Sequence, residues 1–227
     1  TVEHGRPFSV GLYTSPHLHR LTERICFTQN GQLAECDPQG FADAVAHVRD
    51  AAAAEPAVAL TFFEVVTAAA FLLFAKQRID LAIIETGLGG RLDATRLCAA
   101  QVTVVTSIGL DHMDWLGPTL SHIAYEKAGI FRQSTPALCA TYPEEARHVL
   151  RRQAQETAAP LWLHPHKGEP DAQPLPQLSD ELCTVLPLPG AHQRDNAALA
   201  VAALFHIDGA LRPFLRDPDV IREGLAQ

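Results

Sequence analysis

Ile79-Asp80-Leu81-Ala82-Ile83-Ile84-Glu85-Thr86-Gly87-Leu88-Gly89-Gly90 is the stretch that decides the fold. An apolar run of strand length, broken only by Asp80, ends in a carboxylate and then in a glycine-rich turn. Residues 101–107 repeat the design: an apolar strand, followed by Gly109, Asp111 and His112. Such strands, alternating with helices, belong to a parallel sheet covered on both faces. Before the first strand, Thr61-Phe62-Phe63-Glu64 reads as a capping box opening a helix from Phe62 to about Lys76. That helix is apolar nearly all round and is expected to be buried. After the second strand, Pro118-Thr119 opens a helix to about Ala128. Weaker alternation follows, with strand, helix and strand over 137–141, 144–157 and 161–164. The expected class is α/β, a mostly parallel sheet flanked by helices. Ligands of such sheets bind beyond the C-terminal strand ends, where Glu85 and His112 both fall.

The flanks agree. Val10-Gly11-Leu12-Tyr13-Thr14 is a short strand that stops at Ser15-Pro16. Residues 24–28 alternate, and Asn30-Gly31 offers a tight hairpin into Gln32-Leu33. Asp37-Pro38 is a cap followed by proline at the first helical position, and the Ala-rich helix it opens ends before Pro56. Residues 165–180 are Pro-rich and polar and read as a loop. Helices are expected over 191–206 and 220–226. Residues 1–226 read as one domain without internal repeats.

The net charge of −8 and the absence of a basic stripe argue against a nucleic-acid footprint. Five cysteines lie far apart, with no C-x-x-C pair, which points to reduced thiols in the cytoplasm and not to a disulfide framework or zinc site. No apolar run reaches the roughly 18–20 residues of a membrane span. The start, Thr1-Val2-Glu3-His4-Gly5, is not a signal peptide. No membrane or nucleic-acid partner is expected. Three lysines stand against fifteen arginines, so Lys127, within Tyr125-Glu126-Lys127-Ala128-Gly129, draws notice. The chain holds no G-x-x-x-x-G-K-[ST], no G-x-S-x-G and no H-E-x-x-H.

Several residues have chemistry in reach. Glu85, at the end of a buried strand and before a glycine-rich turn, suits Mg²⁺ beside nucleotide phosphates; a helix cap or an Arg91 partner is the plainer alternative. Gly87, Gly89 and Gly90 admit close backbone approach or supply positive φ. Arg91 and Asp93 follow on the same loop, where a solvated ion pair is equally open. His112 suits a metal ligand, an acid or base, or a helix cap. On spacing alone Lys127 is a helix-face lysine. Glu23, Arg24, His17 and His19 read as surface or loop residues, and His164 and His166 as solvated.

Taken together the motifs resemble one family. Leu12-Tyr13-Thr14-Ser15-Pro16-His17-Leu18 with Glu23-Arg24-Ile25 is similar to the folate-side segment of folylpolyglutamate synthase and dihydrofolate synthase, members of the Mur ligase superfamily. Thr61-Phe62-Phe63-Glu64 with Thr67-Ala68, and the run from Glu85 through Gly90 to Arg91-Leu92-Asp93-Ala94-Thr95, resemble its next landmarks. Ile108-Gly109-Leu110-Asp111-His112, Glu126-Lys127-Ala128-Gly129-Ile130, and Pro189-Gly190-Ala191-His192-Gln193 with Asn196-Ala197 complete the likeness, which covers nearly all of residues 10–226.

The resemblance implies an ATP-dependent ligase. ATP phosphorylates a pteroate or folate carboxyl, the amine of L-glutamate attacks the acyl phosphate, and a tetrahedral intermediate collapses to amide and phosphate. It further implies two Mg²⁺ ions, with Glu85, His112 and Lys127 as ligands and Asp111 beside them. Lys127 matches the family lysine that reacts with CO₂ to become a carbamate, N6-carboxylysine. Asn196 and His192 match positions on the base side of ATP, and Gly89 and Gly90 lie on the nucleotide side. Ser15, Pro16, His17 and Leu18 match the pterin-side loop, with Arg91 and Asp93 also toward substrate. A monomer is implied for the full-length enzyme.

The chain departs from the pattern at both ends. The family's phosphate loop should lie just before residue 1, and the glutamate-side domain after the last. The expectation is a central domain lacking its first strand and helix, with an exposed sheet edge, and inactive alone. Two alternatives remain at this point: a peptidoglycan-precursor ligase of the same superfamily, and a non-catalytic degenerate paralogue.

Overall fold

A computed structural model describes residues 7–54, 56–140, 142–163, 173–175, 178–207 and 216–226. Contacts divide the chain into two units, Thr1–Cys98 and Ala99–Gln227.

The first unit contains β1 (Val10–Tyr13), β2 (Ile25–Gln29), β3 (Gln32–Glu35), α1 (Pro38–Ala53), α2 (Phe62–Gln77) and β4 (Leu81–Ile84). Its sheet runs in the order β3-β2-β1-β4. β2 pairs antiparallel with β1 and β3, whereas β1 and β4 run parallel, Val10 opposite Leu81 and Tyr13 opposite Ile84. The β2–β3 hairpin turns on Asn30 and Gly31, both at positive φ, as the sequence requires. Asp37 caps α1 by accepting the Gly40 N–H at 2.8 Å. Glu64 closes the α2 capping box by accepting the Thr61 N–H at 2.7 Å. The core gathers Tyr13, Ile25, Phe27, Phe41, Val66, Leu73 and Phe74.

Two expectations need correction here. α2 is buried along one stripe, from Val66 to Phe74, while Phe62 stays exposed. β4 is an edge strand whose Ile83 is 53% exposed, so the strand is not covered on both faces. The apolar pattern of both segments exceeds what the α1–α2 layer of this unit can cover.

The second unit contains β5 (Thr103–Val105), α3 (Met113–Leu116), α4 (Leu120–Ala128), β6 (Ala137–Cys139), α5 (Glu144–Thr157), β7 (Leu161–Leu163), β8 (Gln173–Pro174), α6 (Asp180–Thr184), α7 (Ala191–His206) and α8 (Pro218–Leu225). Its sheet, β5-β6-β7-β8, is parallel throughout. Counting both sheets, four of the six strand pairings are parallel, which upholds the expected class. The core draws Ile123, Phe131, Leu138, Leu150, Leu163 and Leu199 together. Where β5 and β6 end, the Tyr142 hydroxyl donates to the Val105 carbonyl and accepts the Ala140 N–H, reinforcing the long 3.4 Å contact those two backbone groups make with each other.

α3, with four residues, and α6, with five, are too short to leave a periodic signal and were not expected. α8 starts at Pro218, earlier than expected, because Asp217 caps it through the N–H groups of Asp219 and Val220. Within the stretch read as loop, Gln173 and Pro174 add a short strand. Residues 164–172 and 176–177, including His164 and His166, lie outside the described residues.

Candidate functional site

Parallel pairing brings the C-terminal ends of β1 and β4 to one edge of the first sheet. Glu85 donates its N–H to the Tyr13 carbonyl at 2.9 Å, extending the ladder by one residue. Beyond that point the chains separate, and the Ser15 N–H donates to Glu85 Oε2 at 2.9 Å. Glu85 is exposed, and among the described residues no protein donor reaches its Oε1. A carboxylate held by one oxygen and open at the other is a fit donor for a divalent cation.

The loop of Ser15, Pro16, His17 and Leu18 leaves this edge and returns through a 3-10 turn, Leu21–Arg24. Its carboxylate anchor is Glu23, which accepts N–H bonds from Leu18 (2.8 Å), His19 (3.0 Å) and Arg20 (2.8 Å). Arg24 is buried, donates from Nε to His17 Nδ1 at 2.9 Å, and lies 5.6 Å from the Phe62 ring centre. Leu18 is 86% exposed at the tip.

The glycine-rich turn is shaped by Asp93. Its Oδ2 accepts the N–H groups of Gly87 (2.8 Å) and Leu88 (3.0 Å), and its Oδ1 accepts Thr95 N–H (2.9 Å) and Thr95 O–H (2.5 Å). Gly87 lies flat against Phe63, where a Cβ would come within 2.5 Å of Cζ. Gly89 and Gly90 are buried, and Arg91 is half-buried.

In the second unit, Asp111 and His112 follow β5. Asp111 accepts the His112 N–H on Oδ1 at 2.8 Å, and its Oδ2 lies 3.7 Å from His112 Nε2. His112 begins α3 at φ 54°, a left-handed conformation costly for a residue with a Cβ. The ring makes no capping bond and is 60% exposed, so the helix cap considered from sequence is a backbone one only. α3 turns into α4 at Gly117, whose φ of 102° and 2.5 Å approach to His122 exclude other residues. Lys127 occupies the last turn of α4, half-buried, where a cation is favourable. Among the described residues no hydrogen bond reaches its amine. His192 and Asn196, four residues apart, share an exposed face in the first turns of α7.

Thus the structure joins Ser15 to Glu85 in one unit, and Asp111 to His112 in the other. Among the described residues no three His, Cys, Asp or Glu side chains gather around a common point. The half-free carboxylate of Glu85 fits Mg²⁺, which takes one or two carboxylates and completes its octahedron with water and phosphate oxygens. Lys127 as an ammonium would repel the ion; only its carbamate would be a ligand.

Sequence reading placed Glu23 among surface or loop residues and Asp93 toward substrate, and it did not foresee that both carboxylates bind backbone N–H groups of their own loops. For Glu23 the available signal was a glutamate three residues after Arg20, at the head of a short turn.

Parallel strands with a carboxylate and a glycine-rich turn at their C-terminal ends define an α/β domain of the ligand-binding type. Residues 45–204 match the Mur ligase middle domain, and the chain belongs to that family. It is 42% identical to the dihydrofolate synthase/folylpolyglutamate synthase of Escherichia coli over 87% of its own length and 45% of the relative's. The solved E. coli FolC in complex with DHPP and ADP superposes with a TM-score of 0.70 at 35% identity, covering 96% of this chain and 50% of that one. A bifunctional folylpolyglutamate synthase/dihydrofolate synthase from Yersinia pestis, complexed with AMPPNP and Mn ion, gives a TM-score of 0.71 at 32% identity, covering 96% and 50%. The chain spans about half the length of the relatives it matches.

Proposed function

We propose that this chain is the nucleotide- and metal-handling part of a ligase that adds L-glutamate to dihydropteroate, to tetrahydrofolylpolyglutamate, or to both, through an acyl phosphate. The carrying observation is the β1–β4 edge, where the loop matching the pterin-side segment and the carboxylate matching the metal ligand are joined by the Ser15–Glu85 hydrogen bond. A reaction that phosphorylates a substrate carboxyl needs substrate and metal adjacent. The ligands named for the E. coli and Y. pestis proteins support the same reading.

In this reading two Mg²⁺ ions, when bound, would neutralise charge on the transferring phosphoryl group and the acyl phosphate. Glu85 would hold one ion through its free oxygen. His112, kept in place by Asp111, and Lys127 as a carbamate would hold the second. Carbamate formation joins the neutral amine to CO₂ and releases a proton. His192 and Asn196 face the base of ATP, and Gly89 and Gly90 shape the turn on the nucleotide side. Ser15, Pro16, His17 and Leu18 receive the pterin, with Arg91 and Asp93 on the adjoining loop. At full length the protein would work in the cytoplasm as a monomer.

Binding tests the reading directly. Mn²⁺ with a non-hydrolysable ATP analogue should bind the chain, followed by electron paramagnetic resonance, and Glu85→Gln should weaken Mn²⁺ affinity by about tenfold or more, the scale of a lost metal ligand. Unchanged Mn²⁺ affinity in Glu85→Gln would remove the metal assignment. At the relatives' length, the protein should release phosphate from ATP only when dihydropteroate or a folate and L-glutamate are both present. A ¹³CO₂-labelled carbamate signal lost in Lys127→Ala would support the modification, and its absence from the wild type would refute it.

A further inference from the structure

We propose that Glu23 is a positioning residue that presets the substrate loop, acting through backbone and never touching the substrate itself. The proposal rests on the folate-side reading of residues 15–18 and adds a determinant that reading does not contain.

Three consecutive N–H groups, of Leu18, His19 and Arg20, converge on the Glu23 carboxylate at 2.8–3.0 Å. Successive N–H groups turned to one side form an anion-binding concavity. Here the anion is supplied from within the chain, so the concavity is filled and the loop closes around Glu23. The neighbouring anchors are independent of it. Ser15 N–H is fixed on Glu85. Arg20 is held by Glu35, through Nε at 3.2 Å and Nη2 at 2.5 Å, and Thr22 Oγ donates to the same carboxylate at 2.6 Å. His17 is fixed by Arg24. Among the described residues Glu23 alone accepts the N–H groups of the segment between His17 and Arg20, and that segment carries Leu18, the most exposed apolar residue of the loop. In the folate-side reading Leu18, 86% exposed at the tip, is one of the residues that meet the ligand. Presetting it removes the ordering cost from the binding step.

Glutamine at position 23 keeps one carbonyl oxygen for two of the three N–H groups but turns an amide donor on the third. Alanine removes every acceptor. A graded series follows. When Glu23 is lost, the loop populates many conformations, and apparent affinity falls in proportion to the competent fraction. A competent fraction of about one in ten gives a Kd about tenfold higher.

The experiment measures dihydropteroate affinity by ligand fluorescence and amide hydrogen exchange at residues 18–20, in wild type, Glu23→Gln and Glu23→Ala. Expected are faster exchange at those three amides in Glu23→Ala, a Kd for dihydropteroate raised about tenfold, an intermediate Glu23→Gln, and unchanged affinity for an ATP analogue. Unchanged exchange, or raised exchange with an unchanged Kd, overturns the proposal while leaving the substrate reading intact. Equal loss of ATP-analogue affinity would show general unfolding and also overturn it. A wild-type protein that binds neither dihydropteroate nor a folate overturns the substrate reading, and the affinity claim with it.

Discussion

Glu23 and Glu35, half-buried, and Glu64, exposed, have one property in common: each carboxylate is held below the ordinary range by donors of its own unit. For Glu23 the leading cause is the Leu18 N–H, for Glu35 the Arg20 side chain, and for Glu64 the Thr61 N–H. A carboxylate whose folded pKa is depressed contributes stability above its unfolded pKa of about 4.3. That contribution disappears as pH falls through the folded value. Urea midpoints should therefore be level above about pH 5.5 and decline as pH drops below about 4.3. A midpoint that rises on acidification would contradict the assignment. The thiols give a second test at this scale. Cys36 is buried and its pKa is pushed up to about 11, and burial pushes that of Cys139 up as well. In native protein these two should stay unmodified by Ellman's reagent while half-buried Cys26, Cys98 and Cys183 react.

At the scale of elements, the contact of Gly87 with Phe63 fixes the glycine-rich turn against α2. Gly87→Ala should cost about 1–3 kcal/mol in thermal or urea unfolding, the range for overpacking a close contact. Phe63→Leu in the same chain should recover part of that loss; no recovery would place the strain elsewhere. The Tyr13 hydroxyl and Thr67 Oγ, 3.0 Å apart and buried, tie β1 to α2. Tyr13→Phe leaves Thr67 short of a partner and should cost about 1–2 kcal/mol. The edge strand β4, with Ile83 half-exposed, is a template for pairing with another chain. Ile83→Lys should reduce self-association of the 227-residue chain in light scattering. Equal scattering would show that this edge is not the contact.

For the molecule as a whole, much of the organisation was legible along the chain. Caps announced α1, α2 and α4: Asp37, Thr61 and Thr119 each accept an N–H of the first turn. Asn30-Gly31 announced the hairpin, and the apolar runs announced β4, β5 and β6. The Asp217-Pro218 cap was as readable as Asp37-Pro38, and only α8's short length hid it. Among the candidate site residues, Glu85 and His112 drew notice because each follows a strand with a recognisable end, and Lys127 because it is one of only three lysines. The loop duties of Glu23 and Asp93 were not legible. Each depends on three or four partners brought around a turn, and a polar residue in a turn looks the same whether it faces water or backbone.

The order of residues determined what is local: helix starts, the hairpin, the strand ends that carry a carboxylate or a histidine, and membership of the Mur ligase middle domain family. Local signals suffice there because caps, turns and strand runs act over a few neighbouring residues. Only the tertiary structure decided that β1 pairs parallel with β4, that Glu85 therefore meets the Ser15 N–H, and which face of α2 is buried. Those outcomes join groups tens of residues apart, and the free energy that selects them exists only once the chain has closed around its core.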